Sequence, residues 1–143
     1  METWELEARE SIRDIVARYN ANGDSGRYEQ VMELFAPDAI MIVGDTEYTG
    51  REAIRTVFTG AASSAAWGAH PVFLRHMTAT LQIDLIDRDH AQGRCYYLVL
   101  TAIGLDHWGR YIDEYAGVDG LWRFTKRRVT LDGRSPDSLF APG

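Results

Sequence analysis

The spacing of apolar residues changes once along the chain, from helical spacing in the N-terminal part to strand-like runs in the remainder. A first helix over about residues 4–22 is predicted by apolar side chains that share one stripe: Leu6, Ile12, Ile15, Val16 and Tyr19. A second stripe over residues 28–35 predicts a short helix that ends before Pro37, because the residue preceding a proline is biased away from helical geometry.

A strand and a third helix are predicted next. The apolar run 39–43 is typical of a short strand. Thr49 and Glu52 have the Thr-x-x-Glu spacing of a capping box, ahead of the apolar residues of a third helix. Residues 61–68 are small and polar except for Trp67, a composition that favours a mobile segment able to cover the mouth of a cavity.

Four strand-like runs complete the chain, over about residues 73–86, 91–104, 108–118 and 121–131. The connecting segments 87–90, 104–107 and 119–120 are short and polar or contain glycine, so consecutive strands are predicted to pair as antiparallel hairpins. Asp119-Gly120 is the strongest of these signals, because a type I′ turn needs positive φ at both central residues. The predicted fold class is α+β, with three N-terminal helices against one face of a curved antiparallel sheet.

The size and charge of the chain limit what it can bind. Its 143 residues, 45% of them apolar, suit a single compact domain over residues 1–143. The 21 acidic and 15 basic side chains give a net charge of -6, which argues against nucleic acid or an anionic membrane as a partner. A hydrophobic small molecule or a protein surface remains. Because the sequence shows neither signal-peptide regions nor an apolar run of ~20 residues, we expect a cytoplasmic location.

Motifs for cofactor and covalent chemistry are missing from the sequence. No glycine-rich phosphate loop follows a strand, and no Gly-x-Ser-x-Gly elbow occurs. Cys95 is the only cysteine and no two histidines stand at i and i+4 on a helix, which argues against a disulfide and a metal site. Lys126 is the only lysine, and so the only residue that could form a Schiff base. We therefore expect chemistry that needs no cofactor and no metal.

Asp24 and His76 are the candidate catalytic residues. Asp24 follows the first predicted helix, and His76 opens the long strand. If folding brings them together, the carboxylate can fix the tautomer of the imidazole and favour the imidazolium that forms when the ring removes a proton from carbon. Such a reaction also creates negative charge on oxygen, and Arg127 and the Tyr19 hydroxyl are candidates to stabilise it.

Each of these residues also has a purely structural interpretation. Asp24 is well placed to cap the second helix. His76 falls on the polar face of an ideal strand, so a role in a pocket requires a β-bulge near residues 77–79 or a pocket on the polar face. The alternative is a surface or interface histidine. Arg127 lies on a mixed face that either lines a polar pocket or is solvated.

Two segments bear on assembly. The strand over residues 95–103 is apolar on both faces, so one face can pack on the helices and the other on a second subunit. We expect a homodimer, with a trimer as the competing assembly. The C-terminal residues 135–143 lack periodicity and are interpreted as an arm whose Leu139 and Phe140 close this pocket or that of a neighbour.

The order of elements and several motifs resemble the SnoaL-like branch of the nuclear transport factor 2 superfamily, over nearly the whole chain. The matching motifs are Asp24 placed 14 residues before Asp38 in Leu34-Phe35-Ala36-Pro37-Asp38-Ala39, Gly50 before the third helix, His76, and Gly120-Leu121-Trp122-Arg123-Phe124-Thr125-Lys126-Arg127 at the end of the sheet. The resemblance implies an α+β cone, in which the curved antiparallel sheet and the three helices enclose a pocket.

The resemblance also implies site residues. In the hexachlorocyclohexane dehydrochlorinase branch an Asp-His pair matches Asp24 and His76, with the imidazole as the base, and a pocket arginine lies close to Arg127. Tyr19 stands where that branch has a lysine, and Met41 where it has a tryptophan. A tyrosine five residues before the aspartate is similar to the bile-acid dehydratase branch.

The implied function is a cofactor-independent lyase or isomerase that acts on a hydrophobic, cyclic small molecule such as a polyketide, steroid or terpenoid. Tyr19, Arg127, Met41 and Trp67 are the residues expected to bind the substrate or stabilise its charge. The alternative is a non-catalytic module on the same fold, which binds a small molecule or a protein partner.

Overall fold

The computed structural model describes residues 1–140 and contains the three helices predicted for the N-terminal part. Helix α1 spans Thr3–Asp24, α2 spans Tyr28–Met32, and α3 spans Arg51–Ala62. One stripe of α1 is buried: Ala8, Ile12, Ile15, Val16, Tyr19 and Asn20. The predicted capping box is wrong, because the N-cap of α3 is Gly50, with φ of 86°, and Thr49 belongs to a strand.

Six strands form one curved sheet that is not closed into a barrel. β1 covers Phe35–Val43, β2 Thr46–Thr49, β3 Arg75–Leu85, β4 His90–Thr101, β5 Gly104–Val118 and β6 Leu121–Arg134. The strands are ordered β2-β1-β6-β5-β4-β3, so β2 and β3 are the edges. The α+β class is confirmed, with α1 and α3 packed on one side of the sheet.

The sheet differs from the prediction in one pairing and in the position of one turn. β1 runs parallel to β6, whereas β1–β2, β3–β4, β4–β5 and β5–β6 are antiparallel. The predicted turn at 104–107 is wrong, because β5 already begins at Gly104 and pairs there with Thr101. The turn at Asp119-Gly120 is confirmed, since φ is 53° at Asp119 and 76° at Gly120.

Two β-bulges decide which side chains enter the helix-covered face of the sheet. In β3 the register shifts between Ala79 and Gln82, and Thr80 adopts a positive φ of 60°. In β5, Leu105 pairs with Leu100 and His107 pairs with Val99, so Asp106 is an extra residue opposite β4. Each bulge reverses the alternation of side chains along its strand, which brings polar groups onto a face that is otherwise apolar.

The segment between α3 and β3 is mostly exposed and is anchored by one buried side chain. A short 3₁₀ turn, Ala65–Trp67, buries the Trp67 side chain. The indole N–H donates to the carbonyl oxygen of Ala61 over 2.9 Å. The mobile cover predicted for residues 61–68 stays a prediction, with Trp67 as its anchored residue.

Among residues 1–140, no helix combines the length and the apolar character needed to cross a membrane.

Candidate active site

A cavity of about 510 Å³ lies between the helices and the concave face of the sheet. Most of its wall is apolar, with Met41, Val43, Val57, Phe58, Leu74 and Val129 among the contributors. Polar groups enter the wall from α1 and from the strands, and the main ones are Asn20, Asp24, His76, His107 and Tyr97. A largely apolar cavity with a few converging polar groups is the usual form of a small-molecule site.

Asp24 and His76 are in direct contact at this wall. The ring Nδ1 of His76 lies 2.6 Å from Oδ1 of Asp24, and the backbone N–H of His76 donates to Oδ2 over 2.9 Å. Both carboxylate oxygens of Asp24 therefore bind His76, one through its ring and one through its backbone, and this fixes the orientation of the ring. The side chains are 24% exposed for His76 and 9% for Asp24.

This contact fixes the tautomer of the neutral imidazole. Because Asp24 is an acceptor, Nδ1 of His76 carries the hydrogen and Nε2 is left as the acceptor for a bound molecule. Asp24 is the last residue of α1, and α2 begins after Arg27 without a side-chain cap, so the interpretation of Asp24 as a cap of α2 is wrong.

The bulge in β3 explains how His76 reaches the cavity. His76 lies opposite the buried Val99, and after the bulge Ile83 is the buried residue. Without the extra residue at the bulge, His76 and Ile83 would face opposite sides of the strand. The sequence required a bulge for this role and placed it at 77–79, whereas it lies between Ala79 and Gln82.

A second aspartate-histidine pair reaches the same cavity through its histidine, His107. Nδ1 of His107 lies 2.7 Å from Oδ1 of Asp106, and the side chains are 13% and 0% exposed. Burial lowers the pKa of His107, against the opposing effect of Asp106. The sequence does not reveal this pair, because the glycine and polar residues of 104–107 predict a turn.

Asp106 is also the anchor of the C-terminal arm. Its carboxylate accepts hydrogen bonds from the hydroxyls of Thr101 and Ser138 and from the backbone N–H of Leu139. These donors outweigh burial and hold the pKa of Asp106 below its usual range. Phe140, which the sequence predicts to close the pocket, lies in the cavity wall. Residues 141–143 lie outside the described part of the chain.

Arg127 lies behind the cavity wall and does not line the cavity. Its side chain is completely buried and donates to both carboxylate oxygens of Asp113, over 2.8 and 2.9 Å. The guanidinium also sits over the rings of Tyr19 and Tyr111, 4.2 and 3.9 Å from their centroids. Both predictions for Arg127 are therefore wrong: it neither lines the pocket nor is solvated, and it is a buried cation paired with Asp113.

Tyr19 and Met41 line the cavity, as expected for residues that contact a ligand. Burial raises the pKa of Tyr19 to about 12, against the opposing charge of Arg127, so its hydroxyl stays protonated at neutral pH. Trp67 does not line the cavity. Its ring packs edge-on against Phe140, with centroids 5.5 Å apart, and so supports the wall from behind.

Asn20 also lines the cavity, and no motif in the sequence indicates it. It is 7% exposed, and its Oδ1 accepts a long hydrogen bond of 3.4 Å from the Tyr111 hydroxyl. Within residues 1–140 its Nδ2 has no hydrogen-bond partner. A buried donor without a partner costs free energy, about 1–3 kcal/mol in typical proteins, and an oxygen of a bound molecule would remove that cost.

The described residues contain no group of three or more histidine, cysteine, aspartate or glutamate side chains arranged to hold a metal ion. Burial raises the pKa of Cys95 to about 11, which makes its thiol a poor nucleophile.

The chain matches the model of the SnoaL-like domain over residues 4–128. No curated protein was found to match it.

Several solved structures share the fold. A function unknown protein from Mycobacterium tuberculosis is 27% identical, with a TM-score of 0.77 over 96% of this chain and 79% of the other. A candidate scytalone dehydratase from Novosphingobium aromaticivorans is 21% identical, with a TM-score of 0.80 over 94% and 91%. Hexachlorocyclohexane dehydrochlorinase from Novosphingobium barchaimii is 20% identical, with a TM-score of 0.77 over 98% of both chains.

Proposed function

The chain belongs to the SnoaL-like domain family, and from this premise we propose that it is a cofactor-independent lyase or isomerase acting on a hydrophobic, cyclic small molecule. The observation that carries the proposal is the Asp24–His76 contact at the wall of an apolar cavity. His76 is the general base, and Asp24 is the residue that orients it. Lyase names among the structural neighbours favour the same reaction class.

The proposed step moves a proton from carbon to Nε2 of His76. The electrons of the broken C–H bond stay with the substrate, either as an enolate or as a new double bond. Asp24 then faces an imidazolium across the 2.6 Å contact, so the charge that develops during proton transfer has a partner already in place. A positioned base of this kind contributes roughly 10²- to 10⁴-fold to a rate.

Negative charge that develops on a substrate oxygen needs a donor, and Asn20 supplies one. Asn20 precedes Asp24 by one helical turn, so both side chains lie on the same face of α1. An oxygen bound at Nδ2 of Asn20 would place the adjacent carbon toward the Asp24–His76 pair. The protonated hydroxyl of Tyr19 is a second donor at this wall.

The cavity suits a substrate of one or two fused rings. Its volume of about 510 Å³ falls within the range of roughly 300–1,000 Å³ for small-molecule sites. Its wall is mainly apolar, which favours a hydrophobic molecule with a few oxygen substituents. Hexachlorocyclohexane, in the name of one structural neighbour, is a cyclic and apolar compound, although it carries chlorine rather than oxygen substituents.

Kemp elimination of 5-nitrobenzisoxazole tests the base without knowledge of the natural substrate. In this reaction a base removes the proton on carbon, the N–O bond breaks, and a nitrophenolate with a nitrile forms. We expect the protein to accelerate it, His76→Gln to lower the rate by roughly 10²-fold or more, and Asp24→Asn to lower it by a smaller factor.

The matched control is His90→Gln. His90 forms a similar contact with Asp87, 2.9 Å long, but both side chains are more than half exposed and neither lines the cavity. The rate of this variant should equal that of the unmodified protein. Equal rates for His76→Gln and the unmodified protein would remove His76 as the base.

A binding protein is the second candidate function, and the mainly apolar cavity wall favours it as well. It predicts that the nitrobenzisoxazole binds, with quenching of tryptophan fluorescence, while the rate stays at that of buffer. It also predicts that His76→Gln leaves binding unchanged. A rate that depends on His76 excludes it.

A further inference from the structure

We propose that Asp106 and His107 form a second acid-base pair of the same site, in which His107 protonates a leaving hydroxyl while His76 removes the proton from carbon. The proposal rests on the proposed function and narrows its substrate class to β-hydroxy carbonyl compounds, which lose water. Asp106 is the positioning residue, and His107 is the residue that touches the substrate.

The second pair repeats the geometry of the first. In both pairs Nδ1 of the ring lies against a carboxylate oxygen, 2.6 Å from Asp24 and 2.7 Å from Asp106. In both, Nε2 is the ring nitrogen left for a bound molecule, and both histidines line the cavity. The exposed His90 forms the same contact outside the cavity, so the cavity position distinguishes the two pairs.

The two histidines flank one residue of the sheet. His76 on β3 and His107 on β5 are both register partners of Val99 on β4. Neighbouring strands lie about 4.8 Å apart, so the two backbones are separated by roughly 10 Å. In the proposed reaction the α-hydrogen and the β-hydroxyl are on adjacent carbons, so both imidazoles must lean inward over Val99 to reach them together.

Asp106 is buried and both of its carboxylate oxygens accept hydrogen bonds, so its position is fixed and it fixes the orientation of the His107 ring. Its oxygens accept from Thr101, Ser138, Leu139 and His107, and no part of its side chain is exposed. Phe140 packs against the ring of His107 with centroids 4.8 Å apart. A ring held on two sides in this way is preorganised, and the bulge at Asp106 supplies the geometry.

The surroundings of His107 make its protonated ring a strong proton donor. The ionisable groups near the ring are Asp106 on its own strand, His76 on β3 and Tyr97 on β4, and on β6 the register partner of His107 is Arg134. Burial lowers the pKa of His107, and positive charge on His76 lowers it further. One proton shared by two such groups is favoured over two protons, as in other coupled pairs of ionisable residues.

The proposed elimination is balanced with one proton in the site throughout. The reaction starts from the state with His76 neutral and Nε2 of His107 protonated, a state that the lowered pKa of His107 makes sparsely populated and strongly proton-donating. Nε2 of His76 takes the proton from the α-carbon, and those C–H electrons form the carbon-carbon double bond. The β C–O bond breaks with its electron pair on oxygen, and the proton of His107 completes a water molecule. The site ends with His76 protonated and His107 neutral.

The test compares two probes on the purified protein. 5-Nitrobenzisoxazole releases a phenolate and needs only a base, whereas 4-hydroxy-4-phenylbutan-2-one loses hydroxide as water and needs a proton donor as well. His107→Gln should lower the rate on the hydroxyketone relative to the rate on the benzisoxazole by roughly 10²-fold. His76→Gln should lower both rates, and the exposed control His90→Gln should change neither.

A measurement on the unmodified protein covers the case in which His107→Gln does not fold. The hydroxyketone rate should rise and then fall with pH, because it needs His107 protonated and His76 neutral. The benzisoxazole rate should rise to a plateau, because it needs only His76 neutral. Two profiles of the same shape would overturn the role of His107.

The outcomes separate this inference from the proposed function. Activity on the benzisoxazole without activity on the hydroxyketone overturns the second pair and leaves the base in place. A His107→Gln variant that lowers both rates equally also overturns it, because a damaged cavity rather than a lost proton donor then explains the effect. Activity on neither probe overturns the proposed function itself.

Discussion

Most buried polar side chains of this protein have a hydrogen-bond partner, and its ion pairs differ in how deeply they are buried. Arg127 and Asp113 are completely buried and joined by two hydrogen bonds. One position away in each strand, Lys126 and Glu114 form an exposed contact of 3.9 Å. Burial would lower the pKa of Arg127, but Asp113 outweighs it and the pKa is raised well above its usual value. The pair therefore stays ionised inside the core.

Removal of one partner from the buried pair should be strongly destabilising. Asp113→Asn leaves the Arg127 charge without a counterion, and such a loss costs about 3–5 kcal/mol of unfolding free energy. Glu114→Gln removes the neighbouring exposed partner and should cost less than about 1 kcal/mol. Urea unfolding of the two variants measures both values. Similar small losses in both variants would show that the buried pair contributes little.

The residues of the site could be predicted from the sequence only in part. Asp24 and His76 were found because a carboxylate and an imidazole carry recognisable chemistry and match a family motif. Asp106 and His107 lie in a segment whose glycine and polar residues resemble a turn, so the bulge that turns them inward was invisible. Asn20 became visible only through its unpartnered Nδ2, which depends on the positions of neighbours distant in sequence.

At the scale of elements, the bulge in β3 links backbone geometry to chemistry. Thr80 holds a positive φ of 60°, which is costly for a β-branched residue. Asp119 also has a positive φ, of 53°, but it lies in a hairpin turn that suits this residue type. Thr80 and Asp119 therefore share a positive φ, which the aspartate side chain tolerates better than the threonine side chain.

Glycine at these two positions should have different effects. Thr80→Gly relieves the strain of a β-branched residue and should raise the unfolding free energy by about 0.5–1 kcal/mol, after the entropy lost by glycine is subtracted. Asp119→Gly should change it by a few tenths of a kcal/mol. Thermal and urea unfolding of both variants measure the difference. A Thr80→Gly variant that is less stable than the parent would show that the threonine side chain stabilises the bulge.

Local pattern predicted the elements better than it predicted their pairing. The three helices and the hairpins of β3 to β6 follow from periodicity and turn residues close in sequence. The parallel pairing of β1 with β6 joins Met41 to Arg127, and no local signal specifies such a distant register. Strand β2 has only four residues, too few for a periodic pattern to identify.

At the scale of the whole molecule, the outer face of the sheet carries an apolar row. Met77, Leu98 and Trp108 are register partners across β3, β4 and β5, and they are 49%, 37% and 37% exposed. Exposed apolar groups that form a continuous row are typical of protein interfaces. The homodimer expected from the sequence stays a prediction, and this face is the surface that a second copy would cover.

The dimer prediction has a direct test. Light scattering of the purified protein should give twice the chain mass, and Trp108→Glu should give the mass of one chain, because the charge would be buried in the interface. Val118→Glu is the control, since Val118 is exposed at the far end of β5. A monomeric parent protein, or a dimer that tolerates Trp108→Glu, would contradict the proposed face.

The most direct test of the central claim is whether His76 removes a proton from carbon inside the cavity. Exchange of the α-hydrogens of 2-tetralone in D₂O, followed by NMR, measures this step with no leaving group involved. The Asp24–His76 contact predicts that the protein accelerates deuterium uptake well above buffer and that His76→Gln loses this acceleration. Uptake at the buffer rate, or uptake that is unchanged in His76→Gln, would contradict the assignment of His76 as a general base.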